Sequence, residues 1–192
     1  YTSISWSAGG KLWVHGGQAT TGMAKDLWCI TTEVGSLWNE PTVTGNPLNR
    51  YAHSTVITAA GRLWVFGGYT PGGRANDLWY VDTEAGNPSW HEATVTGNLP
   101  ATRYKHSAVI SVEGVMWVFG GNAGRQENDL WSIGLEAAAL AWLERSPSGT
   151  LPDGRVDHTA VITGAGRMWI FGGTSCVLSM DGCKLPIRSF LV

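Results

Sequence analysis

Three Arg-x-x-His pairs are the part of this chain whose residue types most invite chemistry: Arg50 with His53, Arg103 with His106, and Arg155 with His158. Histidine is the commonest acid–base side chain near neutral pH, and arginine binds anions. The pairs recur in step, 53 and 52 residues apart, and no carboxylate or nucleophile stands fixed beside any of them in the sequence. A residue present in every copy of a repeat answers a demand that every copy shares, which is packing or hydrogen bonding rather than catalysis. The expectation is an Arg and a His that satisfy backbone carbonyls where one unit passes to the next. Asp26, Asp77 and Asp129 also recur, each where a loop turns into a strand. A short carboxylate there is expected to bond nearby backbone amides. Cys29, Cys176 and Cys183 are too few and too scattered for a disulfide framework, and no nearby His or second Cys pair completes a metal site. His15 and His91 are the only histidines outside the repeated frame, and they come from different positions of the repeat. No catalytic residue, metal ligand or cofactor is assigned.

The elements that carry these residues are legible from the repeat itself. Leu12-Trp13-Val14-His15-Gly16-Gly17 returns as Leu63-Trp64-Val65-Phe66-Gly67-Gly68, as Met116-Trp117-Val118-Phe119-Gly120-Gly121 and as Met168-Trp169-Ile170-Phe171-Gly172-Gly173, at spacings of 51, 53 and 52 residues. Asp-Leu-Trp keeps the same period at Trp28, Trp79 and Trp131, and a lone Trp closes each unit at Trp38, Trp90 and Trp142. Each unit reads as four strands. Alternation along a strand puts Leu63 and Val65 on one face and Trp64 and Phe66 on the other, so both faces are apolar and both must be covered. Small four-stranded sheets buried on both sides stack around an axis, which is a β-propeller; the fold class is all-β. The Gly-Gly pairs answer to backbone geometry, since no helical pattern follows them to make a phosphate cradle.

Composition agrees. Of 192 residues, 26 are Gly and 11 are Trp, only 15% are charged, and the net charge is −2. Nothing basic enough for nucleic acid or an anionic membrane is present, and no apolar run reaches the roughly 18 residues of a membrane span.

The Arg-x-x-His opening, the strand ending in Gly-Gly, the Asn-Asp-Leu-Trp strand and the closing Trp resemble the kelch repeat, over Tyr1 to Gly173. The resemblance implies a kelch-type propeller of three four-stranded antiparallel blades and an incomplete fourth, at about 1–44, 45–97, 98–150 and 151–173, with 174–192 a divergent tail. It implies a module that presents loops to a protein partner. Two loops of each blade, between Arg and His and after Gly-Gly, would emerge on one face around the central opening. Their residues differ from blade to blade, and the contact candidates are Tyr69, Arg74, Tyr104, Lys105, Asn122, Arg125 and Asp157. The alternative is a fragment of a propeller enzyme like galactose oxidase, whose copper site needs converging His and Tyr ligands and a Cys linked to a Tyr; no such cluster is legible here.

Tyr1 aligns with Ala52 and Thr2 with His53, while beyond Gly173 only Asp181 keeps its expected place. These breaks read as those of a truncated piece of a larger propeller, and the absence of a visible leader points to the cytoplasm. Three and a half blades are too few to close a ring, so self-association through open blade faces is expected.

Overall fold

A computed structural model of the chain describes residues 3–6, 9–45, 47–175 and 190–191. Every described strand lies in a small sheet, and there is no helix among the described residues. The expectations attached to Tyr1, Thr2, Cys176, Asp181 and Cys183 fall outside them. The chain divides into two compact units, Tyr1–Thr94 and Val95–Val192.

The first unit holds two blades. Strands β1 (Ser3–Trp6), β2 (Lys11–Ala19) and β3 (Gly22–Thr31) pair antiparallel in that order, and a single bridge between Cys29 and Asn39 stands where a fourth strand belongs. The second blade is complete: β4 (Ser54–Ile57), β5 (Arg62–Thr70), β6 (Gly73–Asp82) and β7 (Trp90–Glu92). The second unit opens with β8 (Val95–Thr96), which pairs parallel to β12 (Leu140–Ala141). Its first blade is β9 (Ser107–Ile110), β10 (Val115–Asn122), β11 (Gln126–Gly134) and β13 (Leu143–Arg145), in sheet order β13-β11-β10-β9. The last blade is β14 (Val156–Ile162), β15 (Met168–Thr174) and β16 (Phe190–Leu191), the latter pairing with Trp169 and Ile170.

Both faces of a blade are apolar, as the alternation requires. Leu63, Trp64, Val65 and Phe66 are consecutive and all buried. In the first unit, one face of the first blade (Trp13 and Leu27) packs against one face of the second (Ile57, Leu63, Val65, Val81 and the closing Trp90). The second unit repeats this: Val109, Phe119 and Leu130 meet Met168 and Ile170. The face that looks toward the next blade is called forward below, and its opposite backward.

The Gly-Gly pair sits at a bulge in the central hairpins of three blades, where the register shifts between His15 and Gly17, between Phe66 and Gly68 and between Phe119 and Gly121. The second glycine has φ +97 at Gly68 and +95 at Gly121, and a Cβ there would lie 2.7 Å from the Cβ of His53 or His106. The strand must pass against the Arg-x-x-His loop of its own blade, and only glycine leaves room.

Trp64 is buried on its blade's forward face, whereas Trp169, at the same register in the last blade, is 40% exposed. Trp64→Ala should therefore cost about 3–5 kcal/mol in chemical denaturation, and Trp169→Ala no more than about 1 kcal/mol.

Candidate functional site

Each Arg-x-x-His segment forms the edge of a blade at which its variable loops meet, and the arginine anchors that edge. Arg50 is fully buried. Its Nη1 donates to Gly67 O at 2.8 Å, its Nε donates to Leu48 O at 3.2 Å, and Nη1 and Nη2 grip the two oxygens of Asp77, each at 2.8 Å. Arg103 repeats the set with Gly120 O, Ala101 O and Asp129, the carboxylate contacts being 2.7 and 2.6 Å. Arg155 makes the two carbonyl bonds, to Asp153 and Gly172. The same carboxylates accept the indole Nε1–H of Trp79 and Trp131. Burial alone would raise the Asp77 carboxyl, but the hydrogen bonds and charge of Arg50, together with Trp79, hold it below the usual range, and Asp129 is held down in the same way by Arg103 and Trp131.

This corrects two expectations. A carboxylate is fixed beside the arginine after all, 27 residues downstream for Arg50 and 26 for Arg103. Asp77 and Asp129 serve a guanidinium and an indole in addition to a backbone amide, whereas Asp26 accepts the indole Nε1–H of Trp28 at 2.8 Å. The two residues recur in step, 27 and 26 residues apart, but that spacing did not by itself show that their side chains meet. The carbonyls bound by the side chain belong to its own blade. It is the arginine backbone that ties blades: Gly17 N donates to Arg50 O at 2.9 Å and Arg50 N to Ala24 O at 3.2 Å, with the same pattern at Gly121, Arg155 and Glu127.

His158 and His53 reach into the preceding blade. His158 Nε2 lies 2.8 Å from Ser107 Oγ, and its ring meets Phe119 edge-on at 5.5 Å. His53 meets His15 instead, at the position where the other blades carry Phe66, Phe119 and Phe171, with His15 Nδ1 3.4 Å from His53 Nε2. His15 Nε2 is buried without a hydrogen-bond partner. Burial, helped by the charge of Arg50, drives the His15 pKa down to about 3. Burial and the charge of Arg155 bring His158 to about 4, against the backbone of Phe119 and the charge of Asp157. Both imidazoles are neutral structural parts.

Between Arg and His lies a residue in the left-handed region in three copies: Ala52 at φ +52, Lys105 at +60 and Asp157 at +56. This turn brings the Arg-x-x-His loop beside the loop after Gly-Gly. Tyr51 bridges Tyr69 through two backbone hydrogen bonds, and their rings lie 5.5 Å apart. Tyr104 bridges Asn122 in the same manner. Tyr69 stands opposite the exposed Arg74 across the hairpin. Of the seven contact candidates, Tyr69 and Arg74 thus share one loop pair in the first unit. In the second unit Tyr104 and Asn122 share another, and Lys105 and Asp157, from neighbouring blades, form an ion pair at 2.7 Å. Arg125 is exposed, with its Nε 3.0 Å from Glu127. Tyr51 was not among the candidates, although its alignment with Tyr104 could have found it. Among the described residues no three His, Cys, Asp or Glu side chains are grouped to hold a metal ion, and no helix is long and apolar enough to cross a membrane.

Residues 2–173 match the family described as the KLHDC2/KLHL20/DRC7 Kelch-repeats domain. The chain is 29% identical to Adagio protein 3 of Arabidopsis thaliana over 201 residues, covering 99% of this chain and 32% of that one. It is 31% identical to the Rab9 effector protein with kelch motifs of Gallus gallus over 169 residues, covering 85% of this chain and 44% of the relative. The chain therefore spans less than half the length of these relatives. The solved structure of YjhT superimposes with a TM-score of 0.76 at 16% identity, covering 99% of this chain and 67% of that one, which shows a shared fold.

Two predictions follow from the buried charges. Asp129→Asn leaves Arg103 buried without its counter-charge and should destabilise the chain by about 3–5 kcal/mol, whereas Arg103→Met leaves a carboxylate that still reaches solvent and should cost less. Both are read from denaturant titrations. Because folded His15 and His158 stay neutral well below the ordinary histidine pKa of 6.5, the unfolded chain binds more protons between pH 6.5 and about 4. Stability should fall across that window as pH drops, by up to about 1.4 kcal/mol per pH unit for each imidazole. His15→Phe should flatten the slope measured by urea titration at pH 7, 6 and 5.

Proposed function

This chain belongs to the kelch-repeat family, and on that premise we propose that it is a protein-interaction module whose blade loops hold a protein partner. The observation that carries the reading is the contrast within each repeat. Arg, His and Gly-Gly are unchanged from copy to copy, while the residue at one fixed left-handed address between them is Ala52, Lys105 or Asp157. A position whose backbone is dictated by the fold and whose side chain is not is open to selection by a partner. Blades in this reading run over about 1–44, 45–97, 98–150 and 151–173, with 174–192 outside the repeat pattern.

The contact groups are Tyr69 and Arg74 in the first unit, and Tyr104, Lys105, Asn122, Arg125 and Asp157 in the second. Tyrosine and arginine supply large contact area and directed hydrogen bonds, the composition of residues that dominate protein interfaces. The chicken relative is named a Rab9 effector protein with kelch motifs, which supports a protein-interaction role. Lys105 and Asp157 neutralise one another in the free chain, so a partner meets them as one dipolar element rather than as two independent charges.

The test is affinity capture with the wild-type chain and with the triple variant Tyr69→Ala, Arg74→Glu, Arg125→Glu, followed by direct titration of a partner retained by the wild type. The variant is expected to keep its melting temperature, since these side chains lie away from the packed faces, and to lose at least tenfold in affinity. Unchanged affinity, including in a second variant that exchanges Lys105 and Asp157, removes this surface as the binding site.

A further inference from the structure

The fourth strand of the first blade stops after the single bridge between Cys29 and Asn39. Cys29 N–H donates to Asn39 O at 2.8 Å and Asn39 N–H to Cys29 O at 2.9 Å. Main-chain groups two residues apart on a strand point to the same neighbour, so the N–H and C=O of Leu27 also face the fourth-strand side. In the second blade Leu78 holds the register of Leu27, and its carbonyl accepts Ala93 N–H at 2.8 Å. In the third, Leu130 pairs with Arg145. Counted from the closing Trp of each blade, the residue at that place in the first is Pro41, which has no N–H to give. On that side no described residue bonds the main chain of Leu27.

The chain beyond Pro41 is tied to the second blade instead. Thr44 N–H donates to Pro88 O at 3.1 Å, and Trp90 N–H donates to Thr44 O at 2.8 Å. A cavity of about 470 Å³ lies between β3 and this connector. Lys25 and Leu27 line it from the strand, Glu40, Pro41 and Val43 from the connector, and Trp90 from the second blade. Leu27, Val43 and Trp90 pack in one apolar cluster on the forward face of the first blade.

We propose that this lane takes an extended segment of a protein partner, added as a strand to the edge of β3, with an apolar side chain laid beside Leu27, Val43 and Trp90. An N–H and a C=O presented together from one strand residue are the pattern that a polypeptide backbone recognises. In the second and third blades a main chain occupies the corresponding place. The chain's own fourth strand cannot supply the missing donor, because Pro41 stands there and the connector is held at Thr44. The lane is separate from the blade loops, so neither reading depends on the other.

The probe is an acetylated, amidated heptapeptide that alternates threonine with valine. It is titrated against the full chain while exchange of the Leu27 amide proton is followed by NMR. The peptide should slow that exchange at least tenfold. The same peptide N-methylated at its valines keeps the side chains but loses the donors, and should leave the exchange unchanged. Pro41→Ala returns a donor to the connector and Val43→Glu puts a charge into the apolar lane. At least one of the two should weaken peptide binding tenfold or more, with melting curves to check that both variants are folded. A Leu27 amide that exchanges as slowly as that of Cys29 in the free chain means that the chain itself or a second copy fills the lane, and overturns the proposal. So does equal protection by the N-methylated peptide, which would mark an apolar pocket rather than a strand site. Unchanged exchange at about 1 mM peptide, or undiminished binding by both variants, overturns it too.

Discussion

A buried guanidinium is the group on which the blades opened by Arg50, Arg103 and Arg155 are organised. Arginine does not lose its proton in a protein, and it brings five N–H donors into a place from which water is excluded. The desolvation of such a charge costs several kcal/mol unless a counter-charge and acceptors surround it. Asp77 and Asp129 supply the former from within the third strand of their blades, and the carbonyls of Gly67 and Gly120 supply the latter from the bulge in the second. Satisfying one arginine thus fixes the place of the Arg-x-x-His loop against the second and third strands of its blade. Its backbone meanwhile bonds to the previous blade through Gly17 or Gly121, so the same residue sets the spacing between sheets.

The glycine pair follows from that arrangement. With the Arg-x-x-His loop held down by its anchor, the hairpin must pass within a carbon's width of the histidine, and a bulge with two glycines is the route that avoids collision. Apolar packing then fills the space between sheets, with tryptophan and leucine interdigitating at one register from contact to contact. Where that register admits a substitution, the consequence is local. His15 in place of phenylalanine leaves a ring of similar shape facing His53, while adding a buried nitrogen without a partner.

The period, the strands and the two-faced burial were legible in the sequence because each arises from a pattern that repeats every 51 to 53 residues. The recurrent Arg and Asp were legible as structural residues, yet their pairing was not, since proximity across 27 residues depends on how a hairpin folds back rather than on any local spacing. The full fourth strand expected for the first blade is reduced in the structure to the bridge at Asn39, because strand pairing depends on what lies beside the edge as well as on the residues in it. The loop neighbours Tyr51 and Tyr69 are joined by a bridge that no short-range rule predicts. The ion pair of Lys105 with Asp157 was hidden for the same reason: it spans two blades.

The left-handed residue ahead of each histidine has one more implication. Its backbone is strained for any side chain other than glycine, asparagine or aspartate, by roughly 1–2 kcal/mol, yet alanine, lysine and aspartate all occupy it. The neighbouring arginine and histidine hold the turn irrespective of what the turn displays. Each blade is therefore a socket with a standard fitting. Over evolutionary time such a molecule can be rewired one socket at a time, its specificity drifting while the masonry beneath stays as it was.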